Sequence, residues 1–332
     1  FSFGPKKNDE MQKRIALSFD KFIDVNLKTD KEISQLSKDL KIDIAIDLMG
    51  FTKSNRFEVF VERCAPLQVN FLGYPGTLGS NCIDYIIADK ILIPKENQNY
   101  YSEKIIYLPD TYQVRDSSQK ISNKKFTKKE LGLPENSFVF CCFNKNYKFT
   151  PSVFDIWMRL LKKVDDSVLW ILKDNEKTSI NLKNEAYMRG VDPNKIIFAE
   201  RLKTNDHLAR HKVADLFIDT FPYTAHTTCS DALWAGLPVI TRMGQSFASR
   251  VSASLLNAVG LNELITKTEN EYEKLILEIA SNSKKLKEIR DKLSLNIDNK
   301  PLFNTNLYTK NIESAYKIIH QNKLKNLAAE NV

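Results

Sequence analysis

The 332-residue chain is short of the features that announce a protein's class. Its five cysteines, Cys64, Cys82, Cys141, Cys142 and Cys229, form no CxxC pair and no run of metal-ligand spacing. That leaves no disulfide framework or cysteine metal site, and makes a reduced, cytoplasmic setting the default. The adjacent Cys141 and Cys142 lie in the apolar run FVFCCF and read as core filling. No stretch approaches the roughly 20 uninterrupted apolar residues of a membrane span, and the N-terminus has no signal-peptide pattern. No Arg-aromatic stripe accompanies the net charge of +8, which comes from 49 basic against 41 acidic residues and sits largely in Lys-rich stretches such as 284–292 and 323–325. Nucleic acid is therefore a poor candidate partner, while attraction for an acidic small molecule such as a nucleotide diphosphate explains local basic residues as well. GxSxG, GxxxxGK[ST] and GxGxxG are all missing, so hydrolase, kinase-like and dinucleotide chemistries each lack their central feature. No internal repeat of solenoid or propeller period is present.

What is there is alternation. With 42% hydrophobic residues, the length fits two ordinary domains, each able to bury a core. Strand patterns at 42–50, 67–73, 83–89 and 104–108 are interleaved with helical spacing at 10–22, 30–40 and 57–63. After a polar, proline-bracketed stretch the pattern resumes, with strands at 138–143, 168–172, 195–199, 216–218 and 238–241. Helices at 152–164, 179–189, 205–214, 246–259, 271–294 and 307–326 complete the second set. The expected class is α/β, with two doubly wound Rossmann-like lobes facing a central cleft. The expected division is a first lobe over 1–118, a linker over 119–135, a second lobe over 136–305 and a C-terminal helical segment over 306–332. The opening FSFGPKKNDE looks like a chain entered in mid-domain, so the first lobe is expected to be incomplete.

The stretch 216–250 carries the chemistry. A buried strand there runs through Asp219 and Thr220 into His226, Thr227 and Thr228 at a helix start, the place where an open parallel sheet binds ligands. Unpaired N–H groups, a positive dipole end and two hydroxyls suit a phosphate; the same Thr pair could equally do no more than cap the helix. Asp231, three residues after Thr228, has capping-box-like spacing. On the preceding helix His207, Arg210 and His211 fall at i, i+3 and i+4. That face suits a metal, a diphosphate or plain solvent, and the cationic Arg210 argues against the metal. Lys145 and Lys148 follow the strand at 138–143, placed to neutralise a leaving phosphate or simply exposed. The glycines around Pro75 in LGYPGT allow close backbone approach to a ligand, as they would in any tight turn. The chain contains no Asp-x-Asp, the pair with which many nucleotide-sugar enzymes hold Mg²⁺ or Mn²⁺.

Four segments together resemble a known family: FLGYPGT at 71–77, FNKNYK at 143–148, HLARHKVADLFIDTFPYTAHTTCSDALWAGLPVIT at 207–241 and FASRVSASLL at 247–256. They are similar to the catalytic region of the protein O-linked N-acetylglucosamine transferase family, bacterial and SPINDLY-like members included, in the same order over nearly the whole chain. The resemblance implies a GT-B fold with a C-terminal helix crossing back to the first lobe. It also implies inverting, metal-independent transfer of a sugar, most simply GlcNAc, from a UDP-sugar donor to Ser or Thr hydroxyls of a protein or peptide acceptor, with no cofactor. Carried onto matching positions, Lys148 and His226 become catalytic, with Lys148 stabilising the departing diphosphate. Thr227 and Thr228 bind phosphates, Asp231 the ribose, and His207, Arg210 and Lys145 the nucleotide. Leu72, Gly73 and Pro75 line the sugar pocket. A further family lysine before His207 is matched only one residue out of place, at Lys203. An Asp and two His of the family's first lobe, and the tetratricopeptide repeats upstream of it, precede the start of this sequence, and weak turnover of the chain as given is the expectation. Alternatives within the resemblance are a related protein O-fucosyltransferase and an asparagine glucosyltransferase, and the alternative of another class is a nucleotide-sugar-binding pseudoenzyme.

Overall fold

A computed structural model describes residues 1–7 and 9–332. The chain divides into two compact units. The first comprises Phe1–Ile87, Asn99–Ile106 and Ala315–Val332, the second Ala88–Gln98 and Tyr107–Ser314.

The first unit is built on a four-stranded sheet in sequential order, β1 (Ile44–Asp47), β2 (Leu67–Asn70), β3 (Tyr85–Ala88) and β4 (Lys104–Tyr107). β1 pairs in parallel with β2, and β2 with β3, in a register that sets Asp47 beside Asn70. Three helices accompany it: α1 (Glu10–Ala16), α2 (Asp30–Asp39) and α3 (Glu58–Val61). α2 is fixed by a capping box between Thr29 and Glu32, and packs Ile33 into a core with Val25, Val59, Phe60 and Leu78. α1 is shorter than the periodicity over 10–22 predicts. None of its residues is buried, so nothing but local propensity holds a further turn.

The second unit holds six strands: β5 (Phe138–Cys142), β6 (Ser167–Leu172), β7 (Ile196–Ala199), β8 (Leu216–Ile218), β9 (Val239–Arg242) and β10 (Ile265–Thr266). Their order is β10-β9-β8-β5-β6-β7, and every pairing recorded among them is parallel. The direction of winding reverses between β5 and β8, the place where open sheets of this kind gather ligands. Helices α4 (Pro151–Lys163), α5 (Glu176–Met188), α6 (Thr204–Arg210), α7 (Thr227–Trp234), α8 (Val251–Ala258), α9 (Glu269–Ala280), α10 (Ser283–Asn299) and α11 (Thr305–Leu324) complete the chain. β5 is its centre, and Val139, Phe140, Cys141 and Cys142 are each at most 1% exposed, which makes the cysteine pair core filling. The single helix expected over 271–294 is two, because the Asn282 side chain accepts from the Lys285 amide and starts α10 afresh.

The division differs from the expected one. The chain enters the second unit over Ala88–Gln98 and again at Tyr107, and the stretch 119–135 is part of that unit rather than a linker. The Gln119 side chain donates to Asn205 Oδ1 (2.7 Å), its backbone carbonyl accepts from the Trp234 indole (3.1 Å), and Leu133 is 4% exposed. Polar composition reads as a linker, but these side chains are satisfied within the fold. Residues 315–332, including the second half of α11, group with the first unit, where Asn331 Oδ1 accepts from the Ile105 amide.

Candidate active site

The carboxyl ends of β5 and β8 are joined by one hydrogen-bond network. Asn144, 1% exposed, donates from Nδ2 to Asp219 Oδ1 (3.0 Å) and to Thr220 Oγ1 (2.8 Å), while its Oδ1 accepts from the Thr228 hydroxyl. Asp219 also accepts from the amides of Thr220 and Ala225 (both 2.8 Å) and from Thr241 Oγ1 (2.7 Å). Burial pushes its pKa above the usual carboxylate range, against which these donors pull. Asp219 and Thr220 are fully buried, so they build the wall of the β8–α7 loop.

That wall sets the start of α7. His226 is its N-cap residue, and no side chain caps the helix. The expected capping box is absent for a specific reason. Thr228 spends its hydroxyl on Asn144, and Asp231 faces Arg115 across an ion pair. The first turn therefore keeps its positive end for something else, with Thr227 exposed at the first helical position. The helix-capping role open to the Thr pair on sequence grounds is not the one it has.

Lys148 lies beside this turn. Its Nζ donates to the Thr224 carbonyl (2.8 Å) and sits 3.8 Å from the Tyr223 ring centroid. Tyr223 in turn stands 5.1 Å from the His226 ring. Burial lowers the Lys148 pKa, with Asp219 opposing, and burial followed by the Lys148 charge takes His226 down to about 3. His226 is thus neutral at pH 7, next to a cation. Lys148, His226, Thr227 and Thr228 come together here. Lys145, on the same loop, is exposed.

A second cluster lies between α6 and α7. Arg210 is neither on a solvated face nor free to clamp an anion with its whole fork: it is 1% exposed, 4.6 Å from the Phe143 ring centroid, and donates to the Glu200 carbonyl (2.5 Å) and to His207 Nδ1 (2.6 Å). Burial brings its pKa down to about 10. His211 is fully buried and donates from Nδ1 to the His207 carbonyl (2.8 Å). Burial, with the neighbouring charges, takes His207 to about 3 and His211 to about 4. With Nδ1 of each histidine already engaged and Arg210 between them, this face is a poor metal site. Among the described residues, no three His, Cys, Asp or Glu side chains are grouped to hold a metal ion. Asp231 completes the cluster, its pKa raised by burial and lowered by Arg115. Arg115 escaped the sequence analysis because it lies in the stretch taken for the end of the first lobe; only an unsatisfied Asp231 could have pointed to it.

In the first unit, the loop after β2 carries Leu72, Gly73 and Pro75. Leu72 is 42% exposed with φ of +68°, and a Cβ on Gly73 would come within 2.0 Å of the Leu48 carbonyl, so only glycine fits. Asn70 donates to the Gly76 carbonyl (3.1 Å) and holds the loop over the sheet's carboxyl edge.

Comparisons with known proteins agree with this architecture. The chain is similar to "Probable UDP-N-acetylglucosamine--peptide N-acetylglucosaminyltransferase SEC" of Arabidopsis thaliana, 36% identical over 322 residues, which cover 95% of this chain and 33% of the relative. A SPINDLY protein of Oryza sativa subsp. japonica is 32% identical over 293 residues, 87% of this chain and 31% of its own. The chain thus spans about a third of the length of these curated relatives. Among solved structures, a mutant O-GlcNAc transferase of Thermobaculum terrenum matches with a TM-score of 0.87 at 27% identity, covering 95% of this chain and 60% of that one. Anabaena HepE, solved with UDP and glucose, shares the fold at a TM-score of 0.58 and 14% identity, covering 86% and 81%. The fold is GT-B, two Rossmann-like parallel-sheet regions. The family described as Glycosyl transferase family 41 matches residues 1–128 and 122–312, and the chain belongs to it.

Proposed function

We propose that the chain is the catalytic part of a cytoplasmic transferase that moves GlcNAc from UDP-GlcNAc to Ser or Thr hydroxyls of proteins, with inversion and without a metal. The observation that carries this is the uncapped start of α7, with Lys148 beside it and Thr227 exposed upon it. In the transfer, the acceptor oxygen bonds to the anomeric carbon from the face opposite the diphosphate and gives up its proton to a phosphate oxygen of the donor or to water, the anomeric carbon–oxygen bond breaks, and its electron pair leaves on the β-phosphate. Charge grows on that phosphate, where the dipole end of α7 and the Lys148 ammonium stabilise it without a divalent ion. A neutral His226 can accept a hydrogen bond from the sugar or the acceptor without repelling Lys148. His207, Arg210 and Asp231 are given to the nucleoside side, and Lys145, exposed, to the outer phosphate. The names of the plant relatives support UDP-GlcNAc and a peptide acceptor. No helix among the described residues is long and apolar enough to cross a membrane. Tetratricopeptide repeats upstream, as in the resembling family, would present the acceptor.

The test is transfer from UDP-GlcNAc to an acceptor peptide by the full-length protein, with and without EDTA, followed by NMR of the product. A β-linked product at a rate indifferent to EDTA is expected. An α-linked product, or loss of activity that Mn²⁺ restores, would remove the inverting or the metal-independent part respectively. UDP binding without any transfer would leave the pseudoenzyme.

A further inference from the structure

Buried polar atoms without partners are rare in a folded protein, and several of them gather in one place here. Around the α6–α7 contact, Arg115 Nε and Nη2, Arg210 Nε, His211 Nε2 and Asp231 Oδ1 are all buried with no aligned hydrogen-bond partner. The Arg115 and Asp231 side chains are 13% and 14% exposed and face each other as an ion pair. The Arg115 charge also reaches His211, adding to burial in holding that ring neutral. Arg115 is fixed from behind, its amide donating to the Leu302 carbonyl (3.1 Å).

Asp231 Oδ1 is the atom that faces Arg115 Nη1, so the set left without any partner is three donor atoms, on Arg115 and Arg210, and one acceptor, on neutral His211. A phosphate can only accept, and Asp231 would repel it; a cation would leave the arginines unmet. A group that both donates and accepts while carrying no charge satisfies both, and the hydroxyls and base edge of a nucleoside are such groups. Their place follows from the helix. Asp231 lies four residues after Thr227, hence about 6 Å further along α7, roughly the reach from a diphosphate to its nucleoside.

We propose that Arg115 is a nucleoside-positioning residue: it orients the Asp231 carboxylate for the donor's ribose and turns its remaining N–H groups to the nucleoside's oxygens. The inference rests on the donor being a nucleotide-sugar, and the experiment separates the two. Calorimetry on the 332-residue chain compares UDP, UMP and inorganic pyrophosphate for the wild type, Arg115→Met, Arg115→Lys, Asp231→Asn and the Met/Asn double variant. Arg115→Met is expected to weaken UDP and UMP by about ten-fold or more while leaving pyrophosphate within about two-fold. Arg115→Lys should recover only part of the loss, because an ammonium lacks the planar fork. The double variant should be little weaker than the worse single one, since the two side chains act as a unit. Unchanged UDP binding in Arg115→Met, an equal loss for pyrophosphate, or additive singles would each overturn the proposal. Pyrophosphate binding also reports folding, and if Arg115→Met does not fold, the Arg115→Lys and Asp231→Asn cycle decides the same question. A wild type that binds pyrophosphate but neither UDP nor UMP would instead remove the donor reading beneath it.

Discussion

Two neighbouring regions of the second unit treat buried polarity in opposite ways. At the β5–β8 edge, Asn144, Asp219, Thr220, Thr228 and Thr241 answer one another. Between α6 and α7, Arg115, Arg210 and His211 keep buried atoms unanswered, and Asp231 has Arg115 alone. A satisfied network is rigid and has nothing left for a ligand, whereas an unsatisfied one costs stability until something arrives to complete it. The first region is the frame that holds α7 in place; the second is the one proposed to meet the nucleoside.

The contrast can be broken at several points, the largest effect first. His207, His211 and His226 are all held neutral well below the ordinary histidine value of about 6.5. A depressed histidine pKa means that the unfolded chain binds protons the folded chain refuses. Their contribution is thus in place above pH ~6.5 and is lost as pH falls toward the folded values near 4 and 3. Stability should drop by up to about 4 kcal/mol per pH unit in that window, and urea unfolding at pH 7, 6 and 5 measures it. His211→Phe should reduce the slope by about one third, and a slope that stays the same would show that His211 protonates with the fold intact.

Asp219→Ala strands its donors inside the protein and should cost about 3–5 kcal/mol, seen as a fall of the thermal midpoint without ligand. Asp231→Asn leaves the buried Arg115 guanidinium without its counter-charge, and should lower the ligand-free midpoint by less than Asp219→Ala, because Asp231 answers one side chain and Asp219 several donors. Equal destabilisation by the two would erase the distinction between the two regions.

Lys148→Ala should lower turnover of the full-length protein by about 100-fold, with a much smaller change in UDP affinity, because its partner is charge that grows in the transition state. Parallel losses in both would make it a binding residue only. Thr227→Ala is expected to weaken UDP by only about three- to five-fold, since the backbone N–H groups of the first turn stay in place. A larger loss would mean that the hydroxyl, and not the helix end, dominates phosphate binding.

Much of this was legible beforehand for reasons that are local. Strand–helix alternation predicts parallel sheets, and the β8–loop–α7 segment reads as a ligand turn because hydrophobic runs, Gly and Thr follow short-range rules. Three features were not legible. Whether Thr228 caps its own helix or bonds Asn144 depends on a strand 84 residues away in sequence. Arg210 has the spacing of a surface residue and the burial of a core one, because Phe143 and Trp170 cover it from other strands. The polar stretch 119–135 has the composition of a linker and the contacts of a wall.

By itself, then, the order of residues decided the class of fold, through periodicity, and the family, through the likeness of its motifs, and it marked the turn proposed for the phosphate. The partners of Asp231, the burial of Arg210 and the pairing of Arg115 with Asp231 were decided only when distant strands and helices packed. Those are matters of which atom meets which across space, and hydrophobic patterning does not encode them.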